Sequence, residues 1–366
     1  MARPTQAVIN LQHLKDNYQL AKQHSQQAYA VIKADAYGHG ALPAAQALAE
    51  ADGFAVACMD EALQLRHQGI KKPIVVLEGA FDRDEWLSAV EYDIEMVLHH
   101  QSQFDILISD PCFMQLQLWF KIDTGMNRLG FRLNEANSLL EKCRNAGLRI
   151  KVLMSHFACS DDVEKAKTET QFQALDAILQ QQIGFWPELI LSSNNSAAII
   201  AWPNVRDHIS RPGIMLYGSS PLIDSNPPDC ALKPVMTLTS KIMASHIVNA
   251  GESIGYGDSW IAEHTTRIGI VAIGYGDGYP RSAPSGTPVW CNGRRLHTVG
   301  RVSMDMLCID LNDNDDIDVG DDVELWGEHI NANEIASLCH TISYELFCQL
   351  TQRVKRIRKQ VLYSRS

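Results

Sequence analysis

The sequence predicts an α/β fold in which a TIM-type (β/α)8 barrel is followed by a C-terminal mostly-β domain. Three observations carry that expectation. Through the first two-thirds of the chain, short apolar runs alternate with helical stretches, giving eight strand–helix repeats. From about residue 234 the rhythm changes to closely spaced β-rich runs separated by turn signals. A length of 366 residues also exceeds what a single hydrophobic core holds, since cores stop growing at about 250–300 residues.

Residues 11–23 read as a helix, with Leu14, Tyr18 and Ala21 at helical spacing. Strands follow at 29–33, 54–58, 74–77, 95–98, 116–122, 150–156, 189–191 and 208–211, with helical patterns at 59–68, 134–145 and 163–181 among the intervening segments. Such alternation implies a parallel sheet with crossover helices, and eight repeats are the number that closes a barrel. A doubly wound open sheet uses the same elements, but no GxGxxG follows the first strand. The barrel is therefore expected over 10–230, with 219–233, which carries Pro221, Pro227 and Pro228, as the connection. In the domain at 234–366, strands are expected at 236–248, 267–273, 289–291, 296–299, 306–311 and 322–326, with one helix at 332–338. Asn292-Gly293 between two of these strands marks a type I′ hairpin, whose central residues need positive φ.

The composition excludes several classes. A net charge of −11 argues against broad nucleic-acid binding, which draws its affinity from cationic contacts to phosphates. The one basic run, 353–359, reads as a solvated strand face or tail. Nine scattered cysteines without a CxxC pair suit reduced thiols better than a disulfide framework, and they give no zinc-ligand spacing. The first residues lack the apolar core of a signal peptide, and no apolar run approaches the ~20 residues that cross a bilayer. A cytoplasmic protein without a metal or a membrane contact is the expectation.

A barrel of this kind places its chemistry at the C-terminal ends of its strands, and reactive residues fall there. Lys33 closes the first apolar run, and Lys121 and Asp123 share one face at the end of the fifth. His156 ends the sixth, Asn195-Ser196 follows the seventh and Arg211 ends the eighth. Around Lys33 the sequence reads Ala30-Val31-Ile32-Lys33-Ala34-Asp35-Ala36-Tyr37-Gly38-His39-Gly40. A lysine at a buried strand end loses solvation, which favours its neutral amine, and a neutral amine can form a Schiff base with the aldehyde of pyridoxal phosphate. The local pattern by itself favours a lysine that merely emerges into solvent, as most lysines do.

The stretch 30–40 resembles the cofactor-lysine signature of bacterial alanine racemases, and agreeing segments continue to about Tyr344. The resemblance implies roles for individual residues. Lys33 would hold pyridoxal phosphate covalently. Tyr37, Ser196, Tyr344 and the backbone amides of Gly213 and Ile214 would cradle its phosphate. Arg211 would face the pyridine nitrogen, where a cation lowers the nitrogen's pKa and discourages reprotonation on the cofactor. Arg128 would steady the substrate carboxylate, and Lys121 matches a position that is carbamylated in many members. In the family the first residues, 1–9, also join the β domain.

The β domain holds Gly255-Tyr256-Gly257, Tyr275 within Gly274-Tyr275-Gly276, and Ser303-Met304-Asp305. Spacing alone reads the glycine-flanked tyrosines as hairpin corners. The resemblance instead implies that Tyr256 is the second catalytic residue, supplied to the barrel mouth of a partner subunit. Tyr275, Met304 and Asp305 would line the substrate's route there, with Met304 near its carboxylate. A homodimer with shared active sites follows, and L- and D-alanine are the implied substrates. Racemisation needs proton carriers on both faces of one α-carbon, with Lys33 serving the D face and Tyr256 the L face. A tyrosine, with its free pKa near 10, needs cationic surroundings for that role, and a hydrogen-bonded His156–Arg211 chain would provide them. A racemase of broader specificity is the alternative. Basic amino-acid decarboxylases share this plan but use a carboxylate where Arg211 stands.

Overall fold

The computed structural model describes residues 3–205, 207–223 and 231–359. Eight parallel strands stand in chain order: Gln27–Val31, Gly53–Val56, Ile74–Val76, Glu95–Leu98, Gln117–Asp123, Arg149–Met154, Ile190–Ser192 and Ile209–Ser210. The eighth pairs with the first at Ile209–Gln27 and Ser210–Ala28. Between the seventh and eighth, separate bonds replace the ladder. His208 N–H donates to Leu191 O (3.1 Å), Arg211 N–H to Asn194 O (2.8 Å) and Ser192 Oγ to Ile209 O (2.6 Å). The ring is thus closed on every side, as the eightfold alternation implied.

The strands stop earlier than their apolar runs do. The first ends at Val31 and the sixth at Met154, so Lys33 and His156 sit in loops above the barrel instead of on its strands. Helix Leu11–Gln23 starts at Asn10, whose side chain accepts the N–H groups of Gln12 and His13, satisfying donors that a helix start leaves free. The helix expected at 163–181 begins only at Lys167 and runs to Gln182.

The N-terminal end of the barrel interior is filled by a mixed cluster. The rings of Tyr29 and Trp119 lie 5.4 Å apart, and Trp119 Nε1 donates to Glu95 Oε2 at 2.7 Å. Lys151 Nζ donates to the other oxygen, Glu95 Oε1, at 2.5 Å. A carboxylate at 7% exposure is tolerated only because both oxygens are engaged.

The second sheet has eight strands, in the order Thr266–Val271, Leu307–Asp310, Arg294–Val299, Pro288–Cys291, Asp322–Trp326, Met236–Val248, Gln6–Ile9 and Lys355–Arg358. The long strand Met236–Val248 pairs on both sides, changing register where it bends. Gln6–Ile9 inserts between it and Lys355–Arg358, which lies parallel to it. The basic run therefore forms an edge strand, where lysine and arginine discourage further pairing. Asn292 and Gly293 both adopt positive φ, 46° and 82°, as the hairpin reading required. Helix Ala332–Leu338 is where the sequence put it, but a second helix, Ser343–Gln349, follows, with Leu346 and Phe347 buried. Its seven residues are too few for a periodic apolar pattern to stand out. Of the connection at 219–233, residues 224–230 lie outside the described residues. Among the described residues no helix is long and apolar enough to cross a membrane.

Replacing Trp119 with Phe keeps the aromatic packing but removes a donor to the buried Glu95. Urea denaturation is expected to show a loss of about 1–3 kcal/mol, with activity per folded molecule retained because the cluster lies at the opposite end from the reactive residues.

Candidate active site at the barrel mouth

Directly after the first strand the backbone leaves ordinary geometry. Residues Ala34, Asp35, Ala36 and Tyr37 all take left-handed φ values between 50° and 53°. Each such residue costs roughly 1–2 kcal/mol, so the turn persists only because its surroundings hold it. Ala36 N–H donates to Ile32 O (2.9 Å), and Ala41 N–H to Asp35 Oδ1 (2.7 Å). Glu61 braces the turn from the next helix, taking Ala34 N–H on Oε1 (2.6 Å) and Ala57 N–H on Oε2 (2.7 Å). The turn leaves Lys33 half-buried, not buried as its position after an apolar run suggested, and folds Tyr37 inward. The Tyr37 ring lies tilted against Tyr217, with centroids 4.8 Å apart, and against Tyr344, at 5.8 Å. Tyr344 arrives on the helix Ser343–Gln349, so the β domain contributes to the mouth of its own barrel.

Beside Tyr37 is a neutral donor set. Ser196 opens the helix Ser196–Ala201, and its Oγ accepts Gly213 N–H (2.8 Å) and Met215 N–H (3.3 Å). At Gly213 a Cβ would stand 2.8 Å from the Tyr37 hydroxyl, so only glycine lets the backbone and that hydroxyl share the space. Hydroxyls and amides gathered where the backbone carries no Cβ suit a phosphate group. The sequence-derived set of Tyr37, Ser196, Gly213, Ile214 and Tyr344 is thus brought into one neighbourhood, with Met215 added to it.

Arg211 lies just past the eighth strand and is buried. Its guanidinium donates to Ser155 O (2.7 Å) and to Ser192 Oγ. Among the described residues it makes no hydrogen bond to the His156 ring, so the expected His156–Arg211 chain is replaced by a contact to the neighbouring carbonyl. Burial draws Arg211 down to about 10, and Asp207 opposes the shift; the group stays cationic at neutral pH. Asp207, which sequence reasoning missed, accepts Ser193 N–H and Asn194 N–H at 2.7 Å each and Ser210 Oγ at 2.9 Å. It stitches together the loop after the seventh strand and the eighth strand. No local sequence signal marks it, because two of its three partners are backbone amides 13 and 14 residues away.

A cavity at the mouth is lined by Lys121, Asp123, Arg128, Ser155 and His156. Burial lowers Lys121 to about 8, aided by Arg211, Arg128 and Lys33. Burial also holds His156 well below its ordinary value, and the same cations add to that, leaving a neutral imidazole. Asp123 is the only carboxylate among these lining residues. Burial raises its pKa, but the N–H groups of Asn127 and Gly125 and the Arg132 guanidinium at 2.9 Å more than reverse that. Arg132 was absent from the sequence reading. Arg128 is exposed at the rim.

The four residues of the β domain lie apart from this cluster. Tyr256 is 71% exposed, Met304 52% and Tyr275 37%, and the Asp305 side chain is 47% exposed. Among the described residues, none of them hydrogen-bonds a residue of the barrel mouth.

A depressed amine pKa has a direct chemical readout. In competitive labelling with an amine-specific reagent, Lys121 should lose its proton, and gain reactivity, with a midpoint near pH 8, while exposed lysines follow the ordinary value near 10.4. Coincident profiles would show that neither burial nor the surrounding cations lower it.

Comparison with known proteins agrees with this geometry. Residues 9–221 match the family described as alanine racemase, N-terminal domain, and residues 235–358 match alanine racemase, C-terminal domain. The alanine racemase of Pseudomonas savastanoi pv. phaseolicola is 46% identical over 361 residues, covering 98% of this chain and 99% of that one. The crystal structure of the biosynthetic alanine racemase from Pseudomonas aeruginosa superposes with a TM-score of 0.91 at 41% identity, covering 98% of this chain and all of that one. The alanine racemase from Bartonella henselae, solved with covalently bound pyridoxal phosphate, superposes with a TM-score of 0.87 at 30% identity, covering 97% of this chain and 99% of that one. The chain belongs to the alanine racemase family, enzymes of the isomerase class that interconvert L- and D-alanine.

Proposed function

We propose that this chain racemises alanine with pyridoxal phosphate at the barrel mouth, using two proton carriers from different copies of the chain, Lys33 and Tyr256 of the partner subunit. The barrel over 10–230 supplies the cofactor site, and the β domain over 234–366 supplies the partner's residues. The observation that carries the reading is the excess of cations at the mouth. Lys33, Lys121, Arg128 and Arg211 all act on His156 there, and the one lining carboxylate, Asp123, is already paired with Arg132. Such a site is made for anions.

Lys33 would hold the cofactor, with Tyr37, Ser196, Gly213, Ile214 and Tyr344 around its phosphate. When bound, pyridoxal phosphate would supply an electron sink, whose withdrawal of charge acidifies the α C–H of an amino-acid substrate. Arg211, cationic and fixed by Ser155 O, keeps the ring nitrogen unprotonated and so restrains that withdrawal. The proton then returns to the substrate carbon. Lys33 accepts or delivers it on one face, Tyr256 of the partner subunit on the other, and the roles exchange with direction. Arg128 at the rim grips the substrate carboxylate, as a planar guanidinium does well, with Met304 of the partner subunit beside it. Lys121, with its lowered pKa, offers the neutral amine that combines with carbon dioxide. The resulting carbamate would be an anion able to orient Arg128.

The exposure of Tyr256, Tyr275 and Met304 supports a homodimer, since apolar and aromatic side chains at a subunit contact are open in one copy alone. Eight described cysteines, none of them paired, accord with a reducing cytoplasm.

In Tyr256→Phe, cofactor binding should persist while deuterium exchange at the α-carbon of L-alanine in heavy water is lost. Lys33→Ala should lose the visible absorbance of the bound cofactor. Chiral chromatography after incubation with alanine, serine, lysine and arginine separates an alanine racemase from one of broader range. Exchange at the normal rate in Tyr256→Phe would remove that residue from the mechanism.

A further inference from the structure

Outside the barrel mouth, the most densely paired carboxylate lies in the β domain. Asp277 is fully buried and meets two arginines from the chain's distant ends. Arg3 binds it through both oxygens, Nε to Oδ1 at 3.2 Å and the terminal nitrogen to Oδ2 at 2.7 Å. Arg353 adds Nε to Oδ1 at 3.2 Å, and Gly274 N–H donates to Oδ2 at 3.0 Å. The same two arginines reach the neighbouring loop: Arg3 donates to Asp305 O (2.6 Å) and Arg353 to Asp305 Oδ1 (2.7 Å).

Those two loops are the ones that carry Tyr275 and Met304. They are joined directly as well, Tyr275 N–H to Ser303 O at 3.0 Å and Gly276 N–H to Met304 O at 2.8 Å. They pack so closely that a Cβ on Gly274 would fall 2.2 Å from Ser303 O. The outcome is a doubly braced tongue with its polar anchor inside and Tyr275 and Met304 on its exposed surface. A charge buried this deeply would be costly without its partners, and its position ties the pose of both exposed side chains to Arg3 and Arg353.

We infer that Asp277, clamped by Arg3 and Arg353, is a positioning residue that sets the substrate-side pose of Tyr275 and Met304 for the active site of the partner subunit. This rests on the shared-site reading above. It assigns that reading a determinant of substrate binding that touches neither substrate nor cofactor. Because the tongue serves the other copy, a defect in it acts in trans and on KM more than on kcat.

Co-assembled dimers with differently tagged chains test both levels. Lys33→Ala in one chain with Tyr256→Phe in the other leaves one site with both proton carriers only if the sites are shared. Restored activity supports the shared-site reading, and its absence defeats that reading on its own. Asp277→Asn is then placed in two arrangements. In the same chain as Lys33→Ala, opposite a wild-type chain, the altered tongue faces the only working site, and KM for L-alanine should rise about tenfold. In the chain opposite Lys33→Ala, the intact tongue faces that site and KM should stay at the value of a dimer carrying Lys33→Ala alone. Equal KM in the two arrangements, raised or not, overturns the inference even where the first pair regains activity. If Asp277→Asn chains do not assemble, Arg353→Lys in the same two arrangements should give a smaller shift with the same asymmetry, and its absence is equally decisive.

Discussion

The barrel mouth gathers more positive charge than its own carboxylates neutralise, and the rest of the site is arranged by that imbalance. Arg211 is buried against a carbonyl and a hydroxyl, with Asp207 turned toward backbone amides behind it. Asp123 is spent on Arg132 and on the amides of its own loop. Lys121 is buried among cations that Asp123 only partly offsets, and its lowered pKa follows from burial first and those cations second. A site in this state gains stability from every anion it admits, whether phosphate, carboxylate or carbamate. Because attraction in a partly dehydrated cleft is stronger than in water, the same imbalance serves both binding and chemistry.

The fold supplies the means of holding such a cluster together. A closed ring of parallel strands fixes its loops at one end, and the interior is plugged at the other by Tyr29, Glu95, Trp119 and Lys151. The cations can repel one another without moving apart because Lys121 stands on a strand, and the loops that carry Lys33, Arg128 and Arg211 spring from strands packed on both faces. The left-handed turn after Lys33 is the most strained part of this arrangement, held by Glu61 and by the tilted ring contacts of Tyr37 with Tyr217 and Tyr344. Strain of this kind gathers where geometry serves function, and here it folds Tyr37 inward beside Gly213.

The β domain presents residues in two directions. Inwardly it gives Tyr344 to its own mouth, while outwardly it presents Tyr256, Tyr275 and Met304. The N-terminal strand Gln6–Ile9 lies in this domain's sheet, so the chain enters the β domain, leaves it for the barrel and returns. That path brings Arg3 beside Arg353 around Asp277, a meeting of residues more than 270 positions apart in sequence.

The sequence by itself determined the repeat count, the change of class near residue 234, the hairpin at Asn292-Gly293 and the placing of Lys33, Lys121, Ser196 and Arg211 at strand ends. These are local patterns, because apolar periodicity and turn chemistry act over a few neighbouring residues. Tertiary structure alone decided the rest. It reversed the φ of four ordinary residues after Lys33, turned Arg211 to Ser155 instead of His156, recruited Asp207 and Arg132, and added the helix that brings Tyr344. Apart from the Arg132–Asp123 pair, nine residues apart, these outcomes depend on partners distant in the chain, whose contacts outweigh what the residues prefer alone, so no short window along the sequence contains both sides.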